Sequence, residues 1–181
     1  MSGKSPKRSF ILRFLDHTNL VVTGLTALTI LYTRSAGVLY FTTGALFTSG
    51  VAKVAKRFVR QPRPTHPLPG RQKHTYGMPS THSATITFYA VYTLLAARYL
   101  PIHHSFPSNI RTLGPWIVVP WAATIAVSRI WLGHHTWPQV GAGSLVGCLV
   151  GVAWFTAWIQ GLNVYGRTVE ETFLVPLQQL Y

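Results

Sequence analysis

Residues 113–159 read LGPWIVVPWAATIAVSRIWLGHHTWPQVGAGSLVGCLVGVAWFTAWI, with Arg129 as the single formal charge. Two apolar runs, 113–130 and 139–159, flank a short polar join. Each run is close to the ~20 residues that an α-helix needs to cross hydrocarbon. The end of the first run holds Ser128 and Arg129 and the join holds His134 and His135, so cation and imidazole come to one end of two neighbouring spans. Three further apolar runs precede this pair, at about 20–33, 38–58 and 80–99. The chain is therefore expected to be all-α, a polytopic membrane bundle of about five transmembrane helices. The loops fall at 60–78 and 100–111, and a polar-to-amphipathic tail follows Gly161.

Composition supports the bilayer. Hydrophobic residues make up 48% of the 181 and charged residues 10%, against the ~25% charged content of ordinary soluble domains. A length of 181 residues predicts one domain, 1–181. The formal charge of +13 raises nucleic acid as a partner. The basic residues sit at the ends of apolar segments, however, so anionic head groups or phosphorylated lipids fit better and no nucleic acid is expected. Cys148 stands alone, which excludes an internal disulfide and a thiolate metal cluster. The basic N-terminus is interrupted by Asp16 and His17, a pattern of an uncleaved anchor more than of a cleaved signal peptide.

Two other polar segments match the join. Lys53, Lys56, Arg57 and Arg60 recur at helical spacing and form one basic stripe at the end of the second span. Arg63 follows Lys56 by seven residues and would share its face if the helix persisted; Pro62 and Pro64 stop that helix and fix the arginine's backbone. Arginine grips phosphate with a planar fork, and lysine adds a point charge. The same stripe also suits contact with anionic lipid. Pro79-Ser80-Thr81-His82 opens the third span. Ser80 or Thr81 can cap that helix, whose free N–H groups favour an anion, and His82 in its first turn can give a proton to a leaving oxygen.

With alternating spans, all three segments fall on one membrane face. They offer cations, hydroxyls and imidazoles, and the chain's three acids, Asp16, Glu170 and Glu171, lie outside them. The chemistry indicated is phosphoryl transfer without a carboxylate base or acidic metal ligands, so no metal and no cofactor are expected. His135 can attack phosphorus directly if its other nitrogen is held by an acceptor. Gln139, four residues on, can supply that acceptor. Thr136 and Gln139 also match a helix-capping box, and spacing does not choose between the two uses. His134 is expected to point elsewhere and receives no role. Gly143, Gly147 and Gly151 permit a close helix contact, expected inside the monomer. Oligomeric state is not legible. His103-His104 reads as a solvated loop on the opposite face, and the role of Glu170-Glu171 is open.

Taken together, the segments resemble the signature of the type 2 phosphatidic-acid-phosphatase superfamily: Lys-x6-Arg-Pro, Pro-Ser-x-His and Ser-Arg-x5-His-x3-Asp. The match covers about residues 50–145. Thr81 stands at the usual glycine and Gln139 at the usual aspartate. The runs Tyr76-Gly77-Met78-Pro79-Ser80-Thr81-His82-Ser83 and His135-Thr136-Trp137-Pro138-Gln139-Val140 are similar to the dolichyl-diphosphatase branch, where a glutamine at the latter place is familiar. The resemblance implies that Lys56, Arg63 and Arg129 hold phosphate oxygens, helped by the Ser80 hydroxyl and the Thr81 amide. His82 would protonate the leaving phosphate, and His135, oriented by Gln139, would be the nucleophile. It also implies a polyisoprenoid diphosphate substrate, dolichyl diphosphate, in the endoplasmic reticulum membrane with the site on the lumenal face. The positive-inside rule would put this basic face in the cytoplasm, but phosphate binding accounts for many of its cations. A phosphatase of another lipid phosphate, or a non-catalytic binder of anionic lipid, are the alternatives.

Overall fold

A computed structural model of the chain describes residues 14–66, 72, 74–101, 107, 109–170 and 172. His103, His104 and Glu171 lie outside them. Among the described residues, helices form where the apolar runs predict them: α1 Thr18–Thr33, α2 Ala36–Val59, α3 Thr81–Tyr99, α4 Ile110–Trp131 and α5 Trp137–Ala157. Beyond α5 the start of the polar-to-amphipathic tail is helical. The chain passes through a π-helical turn, Trp158–Leu162, into α6, Asn163–Val169. Gly161, at φ 146°, makes the kink, a backbone state that a side chain would resist.

Local chemistry sets the boundaries. Arg34 closes α1 in the left-handed region, and the Ser35 hydroxyl then caps α2 by accepting from the Gly37 amide at 3.2 Å, so the chain reverses in two residues. Glu170 braces the same corner, its carboxylate accepting from the Ser35 hydroxyl at 2.9 Å and the Ala36 amide at 2.6 Å. That gives the acidic tail residue a role as a helix-end partner, where negative charge is favourable. At the other end of α2, Arg60 takes up a left-handed conformation, and its amide donates back to Lys56. The helix therefore stops before Pro62, and Arg63, which would have shared the face of Lys56 only if the helix persisted, lies beyond it.

Among the described residues, three helices are long and apolar enough to cross a membrane: Ala36–Val59, Ile110–Trp131 and the continuous Trp137–Val169. The expected count of about five is thus approximate: three helices meet that length and composition, and Thr18–Thr33 is a shorter apolar helix. Thr18–Thr33 has 16 residues, about 24 Å at the α-helical rise, short of the ~30 Å hydrocarbon core. Thr81–Tyr99 is more polar because it is the central helix. It packs against α2, α4 and α5 and does not need an apolar lipid face. Its Ile86 and Ala90 meet Ala122, Ile125 and Ala126 of α4. On its other side Phe88 and Tyr92 meet Ala45 of α2 and Phe155 of α5.

The glycine stripe of α5 is the seam with α3. A Cβ at Gly143 would run into the Ser80 carbonyl, and one at Gly147 into the Ala84 carbonyl. Close approach inside the monomer, as expected, explains these two residues. Large apolar side chains face outward on α1, α2, α4 and α5, among them Leu28, Phe58, Ile117 and Leu149. Trp116, Trp131 and Trp137 are exposed near helix ends, where interfacial anchors belong. Trp154 and Trp158 instead pack on Tyr40 of α2. The start of α1, the end of α2, the start of α3, the end of α4 and the start of α5 gather at one end of the bundle, and the polar segments with them.

Candidate active site

The join between α4 and α5 folds back on Arg129. Gly133 adopts φ 74°, and the amides of His134 and His135 both donate to the Arg129 carbonyl, at 3.0 and 3.2 Å. His135 is thereby turned inward and is 4% exposed. Its Nδ1 lies 3.1 Å from Gln139 Oε1 and its Nε2 lies 3.0 Å from Arg63 Nη1. The protonation pattern follows from the partners. Gln139 Nε2 donates to the Pro62 carbonyl at 2.9 Å and to Gln61 Oε1 at 3.2 Å, while Oε1 accepts from the Thr136 amide at 3.3 Å. A carbonyl only accepts and an amide N–H only donates, so the Gln139 side chain has one orientation. Oε1 then accepts from His135 Nδ1–H, and the lone pair sits on Nε2, where a guanidinium can only donate.

Gln139 thus serves both uses that its spacing left open. It completes the capping box with Thr136 and bonds the imidazole. Its carboxamide also meets Gly77, where a Cβ would overlap the amide, so glycine is required at that approach. His135 has its pKa pushed down to about 3, first by burial and then by the Arg63 charge, with Gln139 opposing. The ring is therefore neutral at physiological pH, the state in which imidazole has a lone pair to give.

The cations converge from three elements. Arg63, in the extended stretch after α2, donates through Nε to the Thr75 carbonyl at 2.9 Å and through Nη1 to the His134 carbonyl at 3.0 Å. Partial burial pulls its pKa downward. Lys56 is buried in the last turn of α2. Arg129 is 2% exposed. It donates to the Ser128 hydroxyl through Nε at 3.2 Å and through Nη2 at 3.0 Å, and Nη2 also reaches the Leu15 carbonyl.

The second segment enters through a cis Met78–Pro79 bond. Ser80 is the N-cap of α3 and is fully buried. Its amide donates to the Gln139 carbonyl at 2.9 Å, and its hydroxyl oxygen accepts from the Ser83 hydroxyl at 3.0 Å. Ser80 ties α3 to α5 beneath the site and is not on the cavity wall, whereas Thr81 and His82 are.

That cavity has a volume of about 840 Å³. One end is lined by Lys53, Lys56, Arg63, His82, Arg129 and His135. It continues between α1, α2 and α3 past Val22, Ile30, Leu46 and Tyr89. Lining from Thr18 to Ile30 corresponds to about 18 Å along α1. A charged head chamber therefore opens into a mainly apolar channel, the shape an amphiphile with one phosphorylated end would fill. Among the described residues no group of three His, Cys, Asp or Glu side chains is placed to hold a metal.

Two residues at this end were not found by spacing. His134, which the sequence reading left without a role, is among the residues that line the cavity; it is 7% exposed, and its Nε2 lies 3.1 Å from Asp16 Oδ1. A carboxylate thus borders a site that the sequence reading left without one. Asp16 and His134 are 118 residues apart, and no local pattern links them.

A family model described as the PAP2 superfamily matches residues 36–162. Dolichyldiphosphatase 1 of Homo sapiens is 34% identical over 146 residues, 75% of this chain and 58% of that protein. Dolichyldiphosphatase 1 of Dictyostelium discoideum is 36% identical over 130 residues, 70% of this chain and 54% of that one. Lipid phosphate phosphatase gamma of Arabidopsis thaliana is 28% identical over 146 residues, 80% of this chain and 63% of the other. The chain thus spans rather more than half the length of these curated relatives. The fold is similar to that of a transmembrane PAP2-type phosphatidylglycerolphosphate phosphatase from Bacillus subtilis. The TM-score is 0.70 at 20% identity, with 87% of this chain and 80% of that chain covered. With its three polar segments gathered at one end of a helical membrane bundle, the chain belongs to the PAP2 superfamily.

Proposed function

We propose that this protein is a lipid diphosphatase that hydrolyses dolichyl diphosphate to dolichyl phosphate and inorganic phosphate, through a phosphohistidine on His135 and without a metal. The observation that carries this is the Arg63–His135–Gln139 chain of hydrogen bonds, which leaves a neutral imidazole with its Nε2 lone pair facing cationic groups. Arg63 now occupies that lone pair; a terminal phosphate would draw the guanidinium onto its own oxygens and free Nε2 for attack. The Nε2–phosphorus bond forms as the bond from phosphorus to the bridging oxygen breaks, and His82 protonates the dolichyl phosphate that leaves. Water then attacks the phosphohistidine, His82 takes its proton, and phosphate departs. Lys56, Arg63 and Arg129, with the Thr81 amide at the start of α3, stabilise the phosphoryl oxygens, the main source of rate in such transfers.

The choice of dolichyl diphosphate rests on the similarity to the named dolichyldiphosphatases. We place the activity in the endoplasmic reticulum membrane with the site lumenal, where it would recycle the carrier for protein N-glycosylation. Similarity to a lipid phosphate phosphatase favours a second reading, a phosphatase of another lipid phosphate. Purified protein in EDTA, offered dolichyl diphosphate, phosphatidate and a sphingoid phosphate, decides between them. Release from the diphosphate alone supports the first reading and release mainly from the monoesters supports the second. Release only after a divalent metal is added sinks the metal-free mechanism. An accessibility tag placed beside the site reads the membrane face directly.

A further inference from the structure

Two residues just before α1 contribute to this site from outside the segment matched to the family, 36–162. The Leu15 carbonyl accepts from Arg129 Nη2, and the Asp16 carboxylate accepts from His134 Nε2 at 3.1 Å. The second contact reaches the reacting nitrogen through two residues, His134 and Arg63. The carbonyl of His134 accepts from Arg63 Nη1 at 3.0 Å, and the same Nη1 lies 3.0 Å from His135 Nε2. One guanidinium nitrogen is therefore shared between the peptide of His134 and the lone pair of His135. The peptide that carries this carbonyl follows Gly133, at φ 74°, a residue type that does little to stiffen its own backbone. Residue 134 is held by its backbone, where its own amide and that of His135 donate to the Arg129 carbonyl, and by its side chain: the ring is buried, bonded to Asp16 and packed against His66 with centroids 5.3 Å apart. Glu170, by contrast, is engaged with Ser35 and Ala36 at the corner between α1 and α2.

We infer that Asp16 is a positioning residue for phosphoryl transfer: it fixes His134, whose carbonyl stations Arg63 against His135. The inference rests on the catalytic assignment above, but its primary test does not require turnover. Binding of inorganic vanadate, which mimics the five-coordinate phosphoryl group, is measured by calorimetry on the full chain in detergent. Asp16→Ala should weaken vanadate about 10-fold, a difference of about 1.4 kcal/mol. Asp16→Asn, which keeps an oxygen acceptor for His134, should stay within about 3-fold of wild type. His134→Phe should match Asp16→Ala, and the double variant should be no worse than either single one, because both break the same link. In turnover, kcat per phosphohistidine site should fall for Asp16→Ala and recover in Asp16→Asn; a purely structural role would lower the folded yield and leave that ratio unchanged. Vanadate affinity unchanged in Asp16→Ala, Asp16→Asn as impaired as alanine, or additive losses in the double variant would each overturn the inference. A wild-type protein that binds vanadate but releases phosphate from no lipid would defeat the catalytic assignment, and the vanadate comparison would still decide whether Asp16 positions Arg63.

Discussion

Replacing Gln139 by glutamate restores a carboxylate where much of the superfamily has one, and it should nevertheless impair this protein. The side chain is 1% exposed and has two working faces. Its oxygen accepts from His135 Nδ1 and the Thr136 amide, and its nitrogen donates to the Pro62 carbonyl and Gln61 Oε1. In Gln139→Glu the first face gains, because a charge-assisted bond to imidazole is worth about 1.5–3 kcal/mol. The second face sets a carboxylate oxygen against two acceptors. Leaving buried groups unmatched costs about 1–3 kcal/mol each, or roughly 2–6 kcal/mol for the pair. The net cost of about 1–3 kcal/mol should lower the melting temperature in detergent by about 2–12 °C. Turnover should fall with it, because Pro62 neighbours Arg63 and a displaced loop moves the guanidinium. The carboxylate should also raise the His135 pKa, shifting the acid limb of kcat/KM to higher pH. A Gln139→Glu protein as stable and as active as wild type would refute the account of why an amide stands here.

Three further outcomes follow from named contacts. His82→Ala should cut the release of phosphate by about 10²–10⁴-fold, and the loss should be greater for a lipid monoester than for the diphosphate, since an alkoxide needs the proton more than a phosphate does; equal losses would argue against His82 as the acid. His135 is held below its ordinary pKa of 6.5, at about 3, so the unfolded chain takes up the proton first. The stability due to its neutral state is complete above about pH 6.5 and is lost as pH falls toward 3, at up to about 1.4 kcal/mol per pH unit. His135→Gln should flatten thermal stability between pH 7 and 5 relative to wild type, and parallel profiles would contradict the shift. Gly147→Ala drives a methyl into the Ala84 carbonyl, a backbone clash that no rotamer relieves, and should cost about 1–3 kcal/mol; an unchanged melting temperature would contradict the α3–α5 seam.

The helices were legible because apolar runs of membrane length leave few alternatives, and the order of the spans placed Lys56, His82 and His135 at one end. Internal spacing was informative where a helix carried it, as with Gln139 at four residues from His135. It did not reach Arg63, which lies past the end of the helix: the left-handed Arg60 ends α2, and the loop, hydrogen-bonded to Thr75 and His134, carries the guanidinium to His135. Ser80 illustrates a different limit. Its identity as a cap was readable, yet only the packing of α3 on α5 shows it bonded beneath the site. The Asp16–His134 pair was invisible, since it joins the segment before α1 to the join after α4 and depends wholly on tertiary placement. Thr81–Tyr99 was read as one apolar run among the others, and its place as the central helix, packed on α2, α4 and α5, came only from tertiary packing.

The central claim is that His135 becomes covalently phosphorylated. Rapid quenching of the protein at alkaline pH during turnover of terminally labelled dolichyl diphosphate tests it most directly, because phosphohistidine survives base and is lost in acid. The account predicts base-stable, acid-labile label on the peptide containing His135, formed faster than steady-state release and absent from His135→Ala. Turnover without labelled protein, label on another residue, or phosphate release that persists in His135→Ala would contradict it.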